Sequence, residues 1–326
     1  MRFNLPVLVY QEKNCVHNHA DEIAQMGKNA LIVTGRNSSK KNGSLDDVIN
    51  ALKSKNIKYT VYDGVEENPS VETVMEAREI GVKAGCDFII GIGGGSPMDA
   101  AKAIGVMIYH KNENKDFLYK SVSNSQSLPV IEVPTTCGTG SEVTTVAVLT
   151  VHNEKTKKSM SHRIFPRMAL VDEKYIKNAP LKVICDTAID ALAHIVESCI
   201  NNNATEYSKM FAKEGLEAWS KFKDVLLGNR EATDEDFHNM MYASTLAGMC
   251  IAHAGTSLPH GLSYPITYEL GIPHGKAVGY FLPGYINEAT DEDKEFVLKA
   301  AGFESVEEFS KFYKKACGYE KFPQES

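Results

Sequence analysis

The chain changes grammar once. Up to about residue 178, short apolar runs of strand length alternate with amphipathic stretches of helix length. The runs are NALIVTG (29–35), KYTVYDGV (58–65), DFIIGIGGG (87–95), PVIEVPTT (129–136) and VAVLTV (146–151). Between them lie LDDVINALKSKN (45–56) and VETVMEAREIGVKAG (71–85). Strand and helix repeated in this way predict a parallel α/β sheet over residues 1–178. From Pro180 the pattern is helical. ICDTAIDALAHIVESCI is closed by Asn201–Asn203, YSKMFAKEGLEAWSKFKDVLL (207–227) by Gly228, and FHNMMYASTLAGMCIAHAG (237–255) reads as a mostly buried helix. Residues 179–326 are therefore expected to form an all-helical domain.

The remaining bulk properties exclude more than they assign. A net charge of −7, with no basic block longer than Lys-Lys, argues against nucleic-acid binding. No apolar run approaches the roughly 18 residues of a membrane span, and MRFNLPVLVYQEKN lacks the apolar core of a signal peptide. The seven cysteines are odd in number, irregular in spacing and without a CxxC pair. Neither a disulfide framework nor a cysteine zinc site is expected, and a reducing cytoplasm fits.

In the first half the most informative motif is GIGGGSPMDAAKA (91–103). A strand runs into glycines and a helix starts at once. Ser96 suits an N-cap, Pro97 the first helical position, and Asp99 completes a Ser-x-x-Asp capping pattern. Such a turn can receive a pyrophosphate on the helix N-terminus, or it can be a tight turn with no ligand. It is not the usual Rossmann fingerprint, because the glycines follow a later strand. A second loop, PTTCGTGSE (134–142), also follows a strand. Two such loops fit a ligand at the carboxyl ends of a parallel sheet.

The second half carries candidate metal ligands. Asp190 and His194 are four apart in a helical stretch and share a face with Ala193 and Glu197. LPHGLSYPITYELGIPHG (258–275) holds Pro-His-Gly twice, with His260 and His274 fourteen positions apart. One carboxylate and three imidazoles suit a divalent first-row metal. Each feature also has a plain reading: a surface Asp/His contact, a turn tripeptide, or, for His253 and His238, a satisfied polar group.

Taken together, GGGSPMDAAKA (93–103), PTTCGTGSEVT (134–144), DALAHIVE (190–197) and the two Pro-His-Gly units resemble the iron-containing (group III) alcohol dehydrogenases. The resemblance runs from about residue 4 to residue 290. It implies an N-terminal dinucleotide-binding α/β domain facing an all-α domain, an architecture shared with dehydroquinate synthase, with a metal in the cleft between. By matched position, Asp190, His194, His260 and His274 would be the ligands of iron, or of zinc as in some members. Gly94, Gly95, Ser96 and Asp99 would sit at the pyrophosphate, and Thr135, Thr136, Thr139, Ser141 and Thr144 along the cofactor. Asn68 and Lys158 match positions that contact the nucleotide or its ribose.

Three positions depart from the family pattern. NAD-preferring members carry Asp where this chain has Gly35, beside Arg36, Ser38, Ser39, Lys40 and Lys41. Without that carboxylate a 2′-phosphate is not repelled, so NADP is expected over NAD. Tyr264 stands where many members have a histidine near the nicotinamide, so Tyr264 or His253 would serve any proton relay. The chain ends at PQES326, earlier than is usual in the family, which suggests a shortened C-terminus. The resemblance implies a cytoplasmic, metal-dependent, NADP-linked dehydrogenase of a short-chain primary alcohol such as butanol or a propanediol, expected as a homodimer. The alternatives are a polyol dehydrogenase, a dehydroquinate-synthase-like lyase, or a non-catalytic metal- or nucleotide-binding protein.

Overall fold

Ala30 and Ile32 point to one face of a sheet and Leu31 and Val33 to the other, and all four are fully buried. A strand covered on both faces needs a continuous apolar run, and NALIVTG supplies one. The computed structural model describes residues 3–318; the PQES326 end lies outside them. The strands are β1 (Leu8–Gln11), β2 (Asn29–Gly35), β3 (Lys58–Val65), β4 (Phe88–Gly93), β5 (Val130–Pro134), β6 (Val148–Val151), β7 (Thr156–Ser159) and β8 (Met168–Val171). Six of them form a parallel sheet in the order β1-β8-β5-β4-β2-β3. Helices Val71–Ala84 and Gly95–Tyr109 cover one face and Ser44–Ser54 the other.

VAVLTV forms a strand, but not one of the parallel sheet. β6 pairs antiparallel with β7 in a separate hairpin. The reason is the connection that follows it: β6 ends at Val151 and β7 begins at Thr156, and so short a link joins antiparallel neighbours, whereas parallel strands need a crossover of about a dozen residues. β1, at one edge of the main sheet, and its neighbour β8 are four residues each, too short for composition to mark them as strands.

The last sheet strand ends at Val171, and the first long helix after it begins at Leu181. Helix Leu181–Ile200 is buried on nearly every side from Ile184 to Cys199, so its polar residues Asp190, His194 and Glu197 lie inside the protein. Helices Glu206–Ser220, Asp234–Ala254 and Val306–Cys317 pack around it. The single helix expected over 207–227 breaks after Ser220 and resumes at Lys223. The break allows both Trp219 and Phe222 to be fully buried, and the Trp219 indole N–H donates to Ala188 O at 2.7 Å. Among the described residues, no helix is long and apolar enough to cross a membrane.

Gly248, inside helix Asp234–Ala254, is where that helix touches the loop after β5. A Cβ built there would meet the Gly140 carbonyl and lie 2.6 Å from Val143 Cγ2. Gly-to-Ala in a helix normally gains about 1 kcal/mol, but forcing a methyl into a packed contact costs about 1–3 kcal/mol. Gly248→Ala should therefore lower Tm in a thermal melt. An unchanged or raised Tm would show that the loop can move aside.

Candidate active site and metal centre

The buried helix Leu181–Ile200 presents Asp190 and His194 one turn apart. His260 comes from helix Leu258–Leu270, and His274 opens helix His274–Gly279. The three Nε2 atoms of His194, His260 and His274 lie 3.9, 3.5 and 3.8 Å from Asp190 Oδ1. Donor atoms of Asp190, His260 and His274 all lie within 4.8 Å of one another.

What each ring holds on its other side fixes its tautomer. His260 Nδ1 meets Glu197 Oε1 at 2.5 Å, and His194 Nδ1 meets the Gly138 carbonyl at 3.2 Å. His274 Nδ1 faces Ser263 Oγ at 3.4 Å, and that hydroxyl already donates to His260 O at 2.7 Å. All three partners are acceptors, so each Nδ1 carries the hydrogen and each neutral Nε2 turns a lone pair toward Asp190. Asp190 Oδ1 and His260 Nε2 are buried and have no hydrogen-bond partner among the described residues. Converging lone pairs and a carboxylate are unfavourable together unless a cation sits among them. The donor set therefore fits a divalent first-row metal.

Without the ion, a proton is the substitute. Burial opposes charge on His260, but the carboxylates of Glu197 and Asp190 outweigh it and push the imidazole up to about 9. Burial lowers His274 to about 3, against the pull of Asp190 and helped by Lys157 and the neighbouring imidazoles. Burial also works against the charge on Asp190, yet the three rings hold its carboxyl well below the usual range.

One cleft of about 620 Å³ runs from this shell to the glycine turn. Gly93 has φ of 152°, and Gly94 and Gly95 are pressed against the second loop: an added Cβ would lie 3.0 Å from Thr136 Oγ1 and 2.8 Å from Thr139 Cγ2. Glycine is required by that approach. The capping expected of Ser96 and Asp99 is absent. Gly94 is the N-cap, with no side-chain cap. Ser96 Oγ instead accepts the Asn68 N–H at 3.0 Å, and Asp99 accepts the Ser141 hydroxyl at 2.6 Å and the Val148 N–H at 2.8 Å. The first turn thus lines the cleft uncapped, the condition under which a helix N-terminus serves an anion.

The structure gathers Gly35, Ser38, Asn68, Gly94, Gly95, Ser96, Asp99, Thr136, Thr139, Ser141 and Thr144 in the cleft wall, with the four metal-site residues and Tyr264. It does not bring in Thr135, Lys40, Lys41, Lys158 or His253. Thr135 is buried, and its N–H donates to Gly93 O at 2.8 Å, tying β5 to β4. Lys40 is exposed and pairs with Asp63 at 2.5 Å, and Lys41 is exposed. Strand alternation turns Lys158 outward, over the Tyr119 ring at 4.9 Å, and turns Lys157 into the cleft instead. His253 belongs to the packing of the N-terminal segment: it stacks on Phe3, accepts the Asn4 N–H and bonds Met249 O.

Tyr264 stacks on His274 with ring centroids 5.8 Å apart, and Lys157 Nζ lies 5.4 Å from its ring. Burial, reinforced by Asp190 and other nearby carboxylates, pushes its phenol up to about 12, so Tyr264 is a neutral hydroxyl at pH 7. Glu197, Lys157, Ser263 and the Gly138 carbonyl also belong to the site, although no motif marks them as site residues. Only Glu197 had a signal, its place seven positions after Asp190 on the same helical face.

Residues 6–173 match the family model of iron-containing alcohol dehydrogenase, and residues 184–307 that of the C-terminal part of the Fe-containing alcohol dehydrogenase family. A long-chain primary alcohol dehydrogenase of Thermoanaerobacter ethanolicus is 32% identical over 79% of this chain and 65% of its own length. The chain thus spans just under two thirds of that relative. An NADPH-dependent butanol dehydrogenase of Clostridium saccharobutylicum is 31% identical over 96% of this chain and 77% of its own. The crystal structure of an iron-containing alcohol dehydrogenase from Thermotoga maritima superposes with a TM-score of 0.92 at 39% identity, over 100% of this chain and 89% of that one.

Glu197 is fully buried and uses both oxygens: one holds His260, the other accepts the Ser257 N–H just before the helix that carries His260. Losing such an outer carboxylate typically weakens a metal about 10–100-fold. Glu197→Gln should show that loss in a competition titration of the metal-free protein with Fe2+ or Zn2+ against a chromophoric chelator. Unchanged affinity would remove Glu197 from the metal centre.

Proposed function

We propose that this chain, which belongs to the iron-containing alcohol dehydrogenase family, is a metal-dependent, NAD(P)-linked alcohol dehydrogenase. It interconverts a short-chain primary alcohol and its aldehyde, prefers NADP(H), and works as a cytoplasmic homodimer. The observation that carries this reading is continuity. The inward-facing imidazoles around Asp190 and the uncapped glycine turn share one cleft. A substrate oxygen at the shell and a dinucleotide anchored at the turn would meet there.

When bound, a divalent metal supplies Lewis acidity to the substrate oxygen and a nicotinamide supplies or accepts the hydride. Asp190, His194, His260 and His274 would hold the metal, iron in keeping with the family and zinc as the alternative. The chain's own residues do the rest. Gly94, Gly95 and Ser96 receive the pyrophosphate, while Asn68, Thr136, Thr139, Ser141 and Thr144 hold the nucleotide in line. Tyr264, stacked over His274, closes the cleft beside the shell and offers a neutral hydroxyl to the proton that leaves or joins the substrate oxygen.

Several features support the finer points. Gly35 and Ser38 line the cleft where NAD-preferring relatives place a carboxylate. Lys40 is held by Asp63, but both side chains are about half exposed, and such a pair is worth at most about 1 kcal/mol. A doubly charged 2′-phosphate can displace it. The Clostridium relative is named for NADPH and butanol, which supports both cofactor and substrate class. All seven cysteines are free and buried, which supports a reducing compartment.

The test is NADPH oxidation with butanal after anaerobic loading with iron or zinc. Turnover should require the metal and vanish in His260→Ala. A protein that binds one metal per chain yet shows no turnover would point to a binding role. Gly35→Asp should raise the KM for NADPH at least about tenfold, since like charges set against each other cost several kcal/mol, and leave NADH the better substrate. An unaltered NADPH/NADH ratio would remove Gly35 as the selector.

A further inference from the structure

Beneath the cofactor loops lies a lysine with no part in the site described above. Lys102 is on helix Gly95–Tyr109, two turns past the glycine turn, and is fully buried. Its ammonium donates to Ser141 O and Ser141 Oγ, both at 2.6 Å, to Val146 O at 2.9 Å and to Thr144 Oγ1 at 3.3 Å. Three N–H groups meet four acceptors, and every acceptor belongs to residues 141–146. Asp99, at 3.9 Å, with Glu132 of β5 and Glu142, are the charged groups that face it.

A buried ammonium is tolerated only when its hydrogens are all used. This one uses them on Ser141, Thr144 and Val146, each of which lines the cleft. The link continues outward: the Ser141 hydroxyl donates to Asp99 Oδ1, and the other Asp99 oxygen accepts the Val148 N–H. A lysine placed only for stability would tie together core elements. Here it ties the helix that starts at the glycine turn to the opposite wall of the cofactor channel.

We propose that Lys102 is a positioning residue for the dinucleotide. Its ammonium fixes the spacing between the glycine turn and the 141–148 wall, so that both grip one cofactor. This rests on the dinucleotide reading of the cleft. In the metal-loaded protein, Lys102→Met should raise both the Kd and the KM for NADPH at least about tenfold, the size expected when hydrogen bonds to a charged group are lost. Lys102→Gln, which keeps two donors, should fall between. Metal affinity and kcat at saturating cofactor should stay as in the wild type. A folded Met variant with lower Tm but unchanged Kd would make Lys102 structural only and overturn the proposal. If neither variant folds, hydrogen exchange on the wild type decides: NADPH should protect amides in 95–103 and 141–148 together, and protection of one segment alone overturns the clamp. Wild-type protein that binds no dinucleotide would instead sink the reading of the cleft itself.

Discussion

The structure is organised around a small volume in which like groups are forced together. Three imidazole lone pairs and the Asp190 carboxylate point at one another, with two of the atoms buried and unpartnered. Each such atom costs about 1–3 kcal/mol if nothing meets it. The fold holds this arrangement because every ring is gripped from behind. Glu197, the Gly138 carbonyl and Ser263 each take one Nδ1–H. The buried helix Leu181–Ile200 can present Asp190, His194 and Glu197 inward only because its apolar residues are covered on nearly every side.

One loop makes the two halves of the protein interdependent. Residues 134–146 start at β5, line the cleft with Thr136, Thr139, Ser141 and Thr144, and give the Gly138 carbonyl to His194. The loop has no room for side chains where it meets the helices. A Cβ on Gly138 would lie 2.8 Å from Thr187 O, and one on Gly140 would lie 2.7 Å from Ser244 O. Glu142, buried beside them, accepts the Thr245 hydroxyl at 2.9 Å. Displacing residues 136–139 would disturb the tautomer of His194 and the wall of the cleft at once. This couples the two ends of the cleft through packing and hydrogen bonds.

The parts of the fold readable in the sequence are those decided locally. β2 and β3 coincide with NALIVTG and KYTVYDGV because each carries its own strand chemistry and boundary. Helix Leu181–Ile200 begins after Pro180 and ends at Asn201, where the sequence offers both signals. VAVLTV has equally good strand chemistry, yet its partner is set by the short link to β7, which composition does not report. Ser96 has good N-cap chemistry too, but the Asn68 amide competes for its oxygen from 28 residues away.

The candidate site divides along the same line. Asp190, His194, His260 and His274 converge on one point; the helix carrying the first two has a strong local pattern, whereas the helices carrying His260 and His274, one with Pro265 inside it and one of six residues, have none. Lys158 and Lys157 are adjacent, and only the register of β7 decides which one faces the cleft. His253 could be read as a relay because helical spacing puts it near His260. It is instead taken up by Phe3 and Asn4, some 250 positions earlier in the chain. Glu197 shares a visible face with Asp190 and His194, yet its task depends on meeting a ring 63 residues further on. Sequence spacing identifies which groups share a face. Which of them become partners is fixed by packing between elements, and for His253 and Lys158 that packing assigns surroundings other than the site.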